Sequence, residues 1–164
     1  MYGREDVLRR VEQEMKTMAN AFRVSEACTL ALHTMVLLAR NKEASHTTRE
    51  IAETFHASEA TLSKVLQRLH KAGLVRSVRG PKGGFRLARP ADEVRLLDVY
   101  ETIEGSLTLS RCLFETPMCG ADECIMGDLI ERMNAEVRDY LARTRLADLD
   151  GVFDNLLEKA TANA

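Results

Sequence analysis

Three of the four cysteines, Cys112, Cys119 and Cys124, lie close together, with six and four residues between them. Thiolates are soft ligands, and a flexible loop lets three of them converge on one iron–sulfur cluster. The C-x6-C-x4-C spacing is not that of ferredoxins. A zinc site, a thiol redox switch and unligated cysteines use the same residues. Glu115, Pro117, Gly120, Asp122 and Glu123 share the stretch, so burial as small hydrophobes explains it poorly.

The second chemistry is polyanion binding. The formal net charge of −2 is unevenly distributed: residues 1–46 carry +1, residues 47–90 carry +6 and residues 91–164 carry −9. A basic middle beside an acidic tail is the footprint of a localised polyanion-binding surface. Enzyme chemistry finds no support. No Ser/His/Asp set, phosphate-binding glycine loop or paired-carboxylate motif is present, and His33, His46, His56 and His70 lack H-E-x-x-H spacing. RNA binding through stacking is disfavoured by 5% aromatic residues and no Trp.

The elements that position these residues are mostly helices. Val7, Val11, Met15, Met18 and Phe22 predict an amphipathic helix over residues 5–22. Residues 25–40 are apolar almost all round, as in a buried helix, with Ser25 able to cap it and Asn41-Lys42 ending it. Thr47 and Glu50 have capping-box spacing and open a short helix carrying Ile51, Ala52 and Phe55. After a tight link at His56-Ala57, Ser58 opens a third helix. Leu62, Val65, Leu66 and Leu69 mark its inner face, and Glu59, Thr61, Lys64, Gln67, Arg68 and Lys71 its outer one. Gly73 suits a helix C-terminus.

Residues 74–79 read as a strand, Gly80–Gly84 as a turn and residues 85–89 as the returning strand, stopped by Pro90. Phe85 and Leu87 are expected to face the core and Arg86 solvent. Leu96, Val99, Tyr100 and Ile103 define a further helix ended by Gly105. Met126, Leu129, Ile130, Met133, Val137, Tyr140 and Leu141 then form one apolar stripe on a long helix. Leu149, Val152, Phe153, Leu156 and Leu157 suggest a last helix.

Two short helices joined by a tight link, then a basic hairpin, spell a winged helix–turn–helix. A helix fits the major groove, and a hairpin tip bearing arginines suits the minor groove. The expected DNA-binding residues are Ser58, Thr61, Lys64 and Arg68 on the helix, and Arg76, Arg79, Lys82 and Arg86 on the wing. Arg79, at the base of the wing turn, is the foremost single candidate. The expected fold class is mainly α with a small β-wing: a winged helix–turn–helix domain plus a long dimerisation helix.

The stretch GLVRSVRGPKGGFRLARPADEVRLLDVYETIEG resembles the wing and following helix of the IscR/NsrR/RirA family of bacterial winged-helix regulators. The likeness runs from about Phe22 to about Leu149, and includes the cysteine-bearing loop before a long helix that leads to a TRLADL segment at Thr144–Leu149. It implies a cytoplasmic homodimeric transcription factor that binds double-stranded operator DNA. The long helix, about 124–142, would cross its partner. An iron–sulfur cluster, 2Fe–2S or 4Fe–4S, would sit on Cys112, Cys119 and Cys124. It would sense iron, cluster supply, nitric oxide or redox state. Some relatives are instead metal-free and controlled by thiol oxidation or a partner protein.

In IscR-like members a histidine three residues after the last cysteine completes the site; here that position is Gly127. The usual carboxylate position on the first family helix matches Thr29. One turn further, His33 resembles the histidine ligand of one branch, and Cys28, Glu26 and Asp128 are the other candidates.

The implied organisation is an N-terminal helical extension (1–21), a winged helix–turn–helix domain (22–90), a linking helix with the cluster loop (91–124), and a dimerisation helix with a C-terminal helix (125–164). The chain has 164 residues, 45% hydrophobic and 29% charged, as in a soluble globular protein. It has no apolar run of membrane-spanning length, so no membrane partner is expected. The charged opening MYGREDVLRR carries no expected secretory signal.

Overall fold

A computed structural model describes residues 24–41, 43–80, 83–107, 119 and 125–153. The helix expected over 5–22 lies outside them. The chain forms two compact units: Val24–Ser106 with residues 139–153, and the described part of Leu107–Arg138.

The first unit is built on α1 (Glu26–Arg40). The Ser25 hydroxyl accepts from the Cys28 amide at 3.1 Å, a cap worth about 1 kcal/mol. Its buried residues, among them Leu30, Met35 and Leu38, form the centre of the core. The following short helix, α2 (Thr48–Thr54), opens with the expected capping box: the Thr47 hydroxyl accepts from the Glu50 amide (3.1 Å), and the Glu50 carboxylate accepts from the Thr47 amide (2.7 Å). That backbone donor holds the Glu50 carboxyl below its usual range. Helix α3 (Glu59–Lys71) is capped by Ser58 and buries Leu62, Val65, Leu66 and Leu69, as the spacing predicts.

Both helices end in the same way. After α3, Gly73 adopts φ +69°, its amide donates to His70 O, and the Leu74 amide donates to Leu69 O, both at 3.0 Å. After α2, the corresponding left-handed residue is His56, at φ +50°. The Ala57 amide donates to Ala52 O at 2.9 Å and the His56 amide to Glu53 O at 3.4 Å. This paired closure normally takes glycine, because a Cβ crowds the backbone there.

The wing consists of β1 (Val75–Val78) and β2 (Gly84–Leu87), antiparallel, with Val75 opposite Leu87, Arg76 opposite Arg86 and Ser77 opposite Phe85. A single turn at Ala91–Glu93 leads to α4 (Leu96–Glu104), which Gly105 ends at φ +86°. The Glu104 carboxylate accepts from the Ser25 amide at 2.9 Å, tying the end of α4 to the start of α1.

The expected long helix, whose residues up to Arg138 belong to the second unit and whose last turn belongs to the first, begins later than its apolar stripe suggested. Residues 125–128 are a turn, Gly127 is left-handed at φ +55°, and α5 spans Leu129–Arg143. Ile130 and Asn134 are buried, and Arg138 donates to Leu107 O at 2.8 Å. Leu129 and Met133 are exposed.

The helix expected around 149–157 is not formed over its described part. A 3-10 turn ends at Leu149, Asp150 leaves the helical region at ψ 134°, and Gly151 is left-handed at φ +88°, which stops helical propagation. Residues 154–157 lie outside the described residues. No helix among the described residues is long and apolar enough to cross a membrane.

The strain at His56 generates a prediction. His56→Gly relieves the Cβ crowding, and glycine's added freedom in the unfolded chain offsets part of the gain. The expected result is a stabilisation of about 0.5–1 kcal/mol, read as a higher thermal midpoint. An unchanged or lower midpoint contradicts it.

Candidate nucleic-acid interface

Helix α3 places four of the expected DNA-binding residues. Ser58 is exposed, and its hydroxyl accepts from the Thr61 amide at 3.4 Å. Thr61 is half-buried, while Lys64 and Arg68 are exposed on the side opposite the buried leucines. Their spacing of three and four residues puts Thr61, Lys64 and Arg68 along one helical face. Glu59, Gln67 and Lys71 are exposed as well.

The wing is held firmly to this helix. The ring of His70, in the last turn of α3, donates from Nδ1 to Val75 O at 3.1 Å. The Ala88 amide donates to Leu74 O at 3.0 Å, which extends the hairpin's own ladder by one pair. From the other side, His46 forms a two-way backbone bridge with Phe85, with amide donations of 3.0 Å and 2.8 Å. Gly84 makes that approach possible. At φ +149°, a Cβ on it would stand 2.4 Å from His46 O. Sequence reasoning missed His46, because a backbone bridge leaves no mark on residue type.

Arg76 and Arg79 are exposed as expected. Arg86 departs from expectation. It is half-buried, as are Phe85 and Leu87, and its Nε is shielded from water without a hydrogen-bond partner. With only four residues in each strand, the hairpin shows no clean inside–outside alternation. Lys82 lies outside the described residues.

The cysteines separate by environment. Cys28 is fully buried, and that burial, with the nearby Glu104 carboxylate second, pushes its thiol up from 9.0 to about 12. It is therefore a protonated core residue, unsuited to act as a thiolate ligand here. Cys119 is half-buried, and both it and Cys28 are free thiols. Cys112 and Cys124 lie outside the described residues. Among the described residues, no three His, Cys, Asp or Glu side chains converge to hold a metal ion.

His33 is exposed on α1, with its ring in a three-membered aromatic cluster. Phe55 meets it edge-on at 5.8 Å and Phe153 is tilted against it at 5.9 Å, while the two phenylalanines are 5.7 Å apart. Its Nδ1–H donates to Thr29 O at 2.7 Å, which leaves the lone pair of the neutral ring on Nε2. Glu26 and Asp128 are exposed, and Asp128 pairs with Arg132 at 3.3 Å.

A short capped helix, a tight left-handed turn, an amphipathic helix with a basic outer face and a clamped basic hairpin define a winged helix–turn–helix DNA-binding protein. The Rrf2 family model, described as an iron-dependent transcriptional regulator, matches residues 24–150, and the chain belongs to that family.

An HTH-type transcriptional regulator by name from Aquifex aeolicus (strain VF5) is 31% identical over 128 residues, 76% of this chain and 89% of that one. The solved structure of CymR, the global cysteine regulator of B. subtilis, is similar with a TM-score of 0.69 at 28% identity, covering 81% of this chain and 99% of that one. T. potens IscR is similar with a TM-score of 0.62 at 29% identity, covering 79% and 86%. These relatives are transcriptional regulators, not enzymes, and this chain is a DNA-binding transcriptional regulator.

The contrast in thiol environment predicts a reactivity difference. At pH 9 roughly half of an ordinary thiol is ionised but only about one Cys28 in a thousand. Iodoacetamide at that pH is expected to spare Cys28 in the native protein and modify it after unfolding. Because the folded value lies above the unfolded one, this group's contribution to stability is complete below pH 9 and is lost as pH rises toward 12. Native alkylation of Cys28 as fast as that of the unfolded chain contradicts the assignment.

Proposed function

We propose that the protein is a cytoplasmic, homodimeric transcription regulator that senses iron–sulfur cluster status, redox state or nitric oxide. DNA reading is assigned to Ser58, Thr61, Lys64 and Arg68 of α3 and to Arg76, Arg79, Lys82 and Arg86 of the wing. The carrying observation is the basic outer face of α3 joined to a clamped basic wing, in a chain whose sequence also bears three closely spaced cysteines ahead of α5.

Dimerisation is assigned to α5. Leu129, Met133 and Tyr140 are 39%, 51% and 49% exposed at helical spacing, an apolar face of the kind a second copy covers. Two copies related by a two-fold axis would read half-sites about one helical turn apart. Within this reading residues 22–90 form the DNA-reading domain, 91–124 the linking helix and cluster loop, and 125–164 the dimerisation segment.

Cys112, Cys119 and Cys124 would hold the cluster, of 2Fe–2S or 4Fe–4S type, their soft thiolates suiting iron. His33 is assigned as fourth ligand through Nε2. Its Nδ1–H donation to the Thr29 carbonyl is the outer-shell contact that metal-bound imidazoles make. A cluster bound there supplies an iron centre that oxidants and nitric oxide alter.

The similarity to a cysteine regulator over 99% of its length favours a second reading: a metal-free regulator governed by thiol oxidation or a protein partner.

Two measurements test the assignments. Purified anaerobically, the protein is expected to show a visible absorbance band with matching iron and acid-labile sulfide, absent in Cys112→Ala. Colourless, iron-free protein from iron-replete cells turns the assignment to the second reading. Arg79→Ala is expected to weaken DNA binding and lower the slope of log affinity against log salt by about one. An unchanged slope removes Arg79 from the phosphate contacts.

A further inference from the structure

The chain leaving α5 returns to the DNA-binding elements and stays with them. The Leu96 amide donates to Thr144 O and the Leu146 amide to Val94 O, both at 3.0 Å, and Arg145 donates from Nη1 to Asp92 O at 2.7 Å. Leu146 is fully buried. Residues 144–146 are thus stitched to the segment between the wing and α4.

Beyond the 3-10 turn at Leu146–Leu149, the strap is loosely made. Asp150 and Val152 are exposed and Gly151 is left-handed. Phe153 alone among residues 150–153 is buried, with 7% of its surface exposed. It reaches Phe55, at 5.7 Å, and His33, at 5.9 Å.

Phe55 is the C-cap of α2, and His56 follows it in the left-handed conformation that aims the chain into α3. A non-glycine residue there costs about 1–2 kcal/mol, and such a turn persists only when its surroundings hold it. The aromatic cluster is one such hold. It joins α1, the end of α2 and the C-terminal strap, which lie far apart in sequence.

We propose that Phe153 is a positioning residue for DNA reading: it pins the strap that leaves α5 onto the turn between α2 and α3, so the aim of α3 depends on where α5 ends. This inference rests on the assignment of DNA reading to α3. It adds a contiguous packed route from the end of the proposed dimerisation helix to the reading helix.

The test uses the full-length protein. A duplex enriched by the wild-type protein from a random-sequence pool serves as the specific probe, and a scrambled duplex as the non-specific one. Phe153→Ala is the main variant, and Phe153→Leu, which keeps apolar burial without the ring, is the milder one that reports if the first does not fold. Selected-site affinity is expected to fall in the order wild type, Leu, Ala, by about tenfold for Ala, with scrambled-duplex binding changed by less than about twofold. Exchange of the Ala57 amide is expected to accelerate in the same order, while that of the Leu69 amide stays at its wild-type rate.

Wild-type selected-site affinity in the folded variants overturns the inference and leaves α3 as the reading helix. Equal losses on both duplexes also overturn it, since general damage then explains them. Failure of the wild-type protein to enrich any sequence overturns the DNA-reading assignment, and the inference with it.

Discussion

Leu62, Val65, Leu66 and Leu69 on α3 are each 2% exposed or less, and the rest of the DNA-binding architecture depends on that burial. Sequestering each such side chain contributes about 1.5–3 kcal/mol, enough together to fix the rotation of the helix about its axis. With that face inward, Lys64, Gln67, Arg68 and Lys71 have only solvent to face. The buried residues of α1 supply the surface against which this happens. A basic helix free to rotate would present charge without register; a helix pinned by four buried side chains presents the same residues in one orientation.

Orientation also requires fixed ends. The start of α3 is set by the Ser58 cap and the left-handed His56, and its end by Gly73. The wing is gripped from two directions, by His70 on the α3 side and by His46 through the backbone on the other. The absence of a side chain at Gly84 allows that last contact, since any Cβ would collide with the His46 carbonyl. Arg76 and Arg79 therefore project from a hairpin whose base is held in place, and Arg86 is partly drawn into that base.

The same packing separates the thiols. Burial against the core leaves Cys28 protonated throughout the physiological range. Cys119 is half-buried and lies in the acidic, glycine- and proline-bearing stretch that also holds Cys112 and Cys124. Sensing chemistry, whether through a cluster or through thiol oxidation, requires access and ionisation, and Cys28 has neither. His33 and His70 both combine exposure with a ring held by a backbone carbonyl, of Thr29 and Val75 respectively.

Much of this fold is local, and for that reason it was legible in the sequence. The Ser25 and Ser58 caps, the Thr47–Glu50 box, the leucine spacing of α3 and the glycine at 73 each act within one or two helical turns, so residue type and spacing are sufficient. The basic segment between residues 47 and 90 carries the DNA-binding class in the same way. The tertiary structure alone decided the rest. Neither the His46–Phe85 bridge nor the meeting of His33, Phe55 and Phe153 could be read from the chain, because a backbone hydrogen bond is indifferent to residue type and an aromatic contact has no period. The late start of α5 at Leu129 and the loss of helix at Asp150 and Gly151 show the converse limit. An apolar stripe is needed for a packed helix, but it carries no information on where backbone dihedrals leave the helical region.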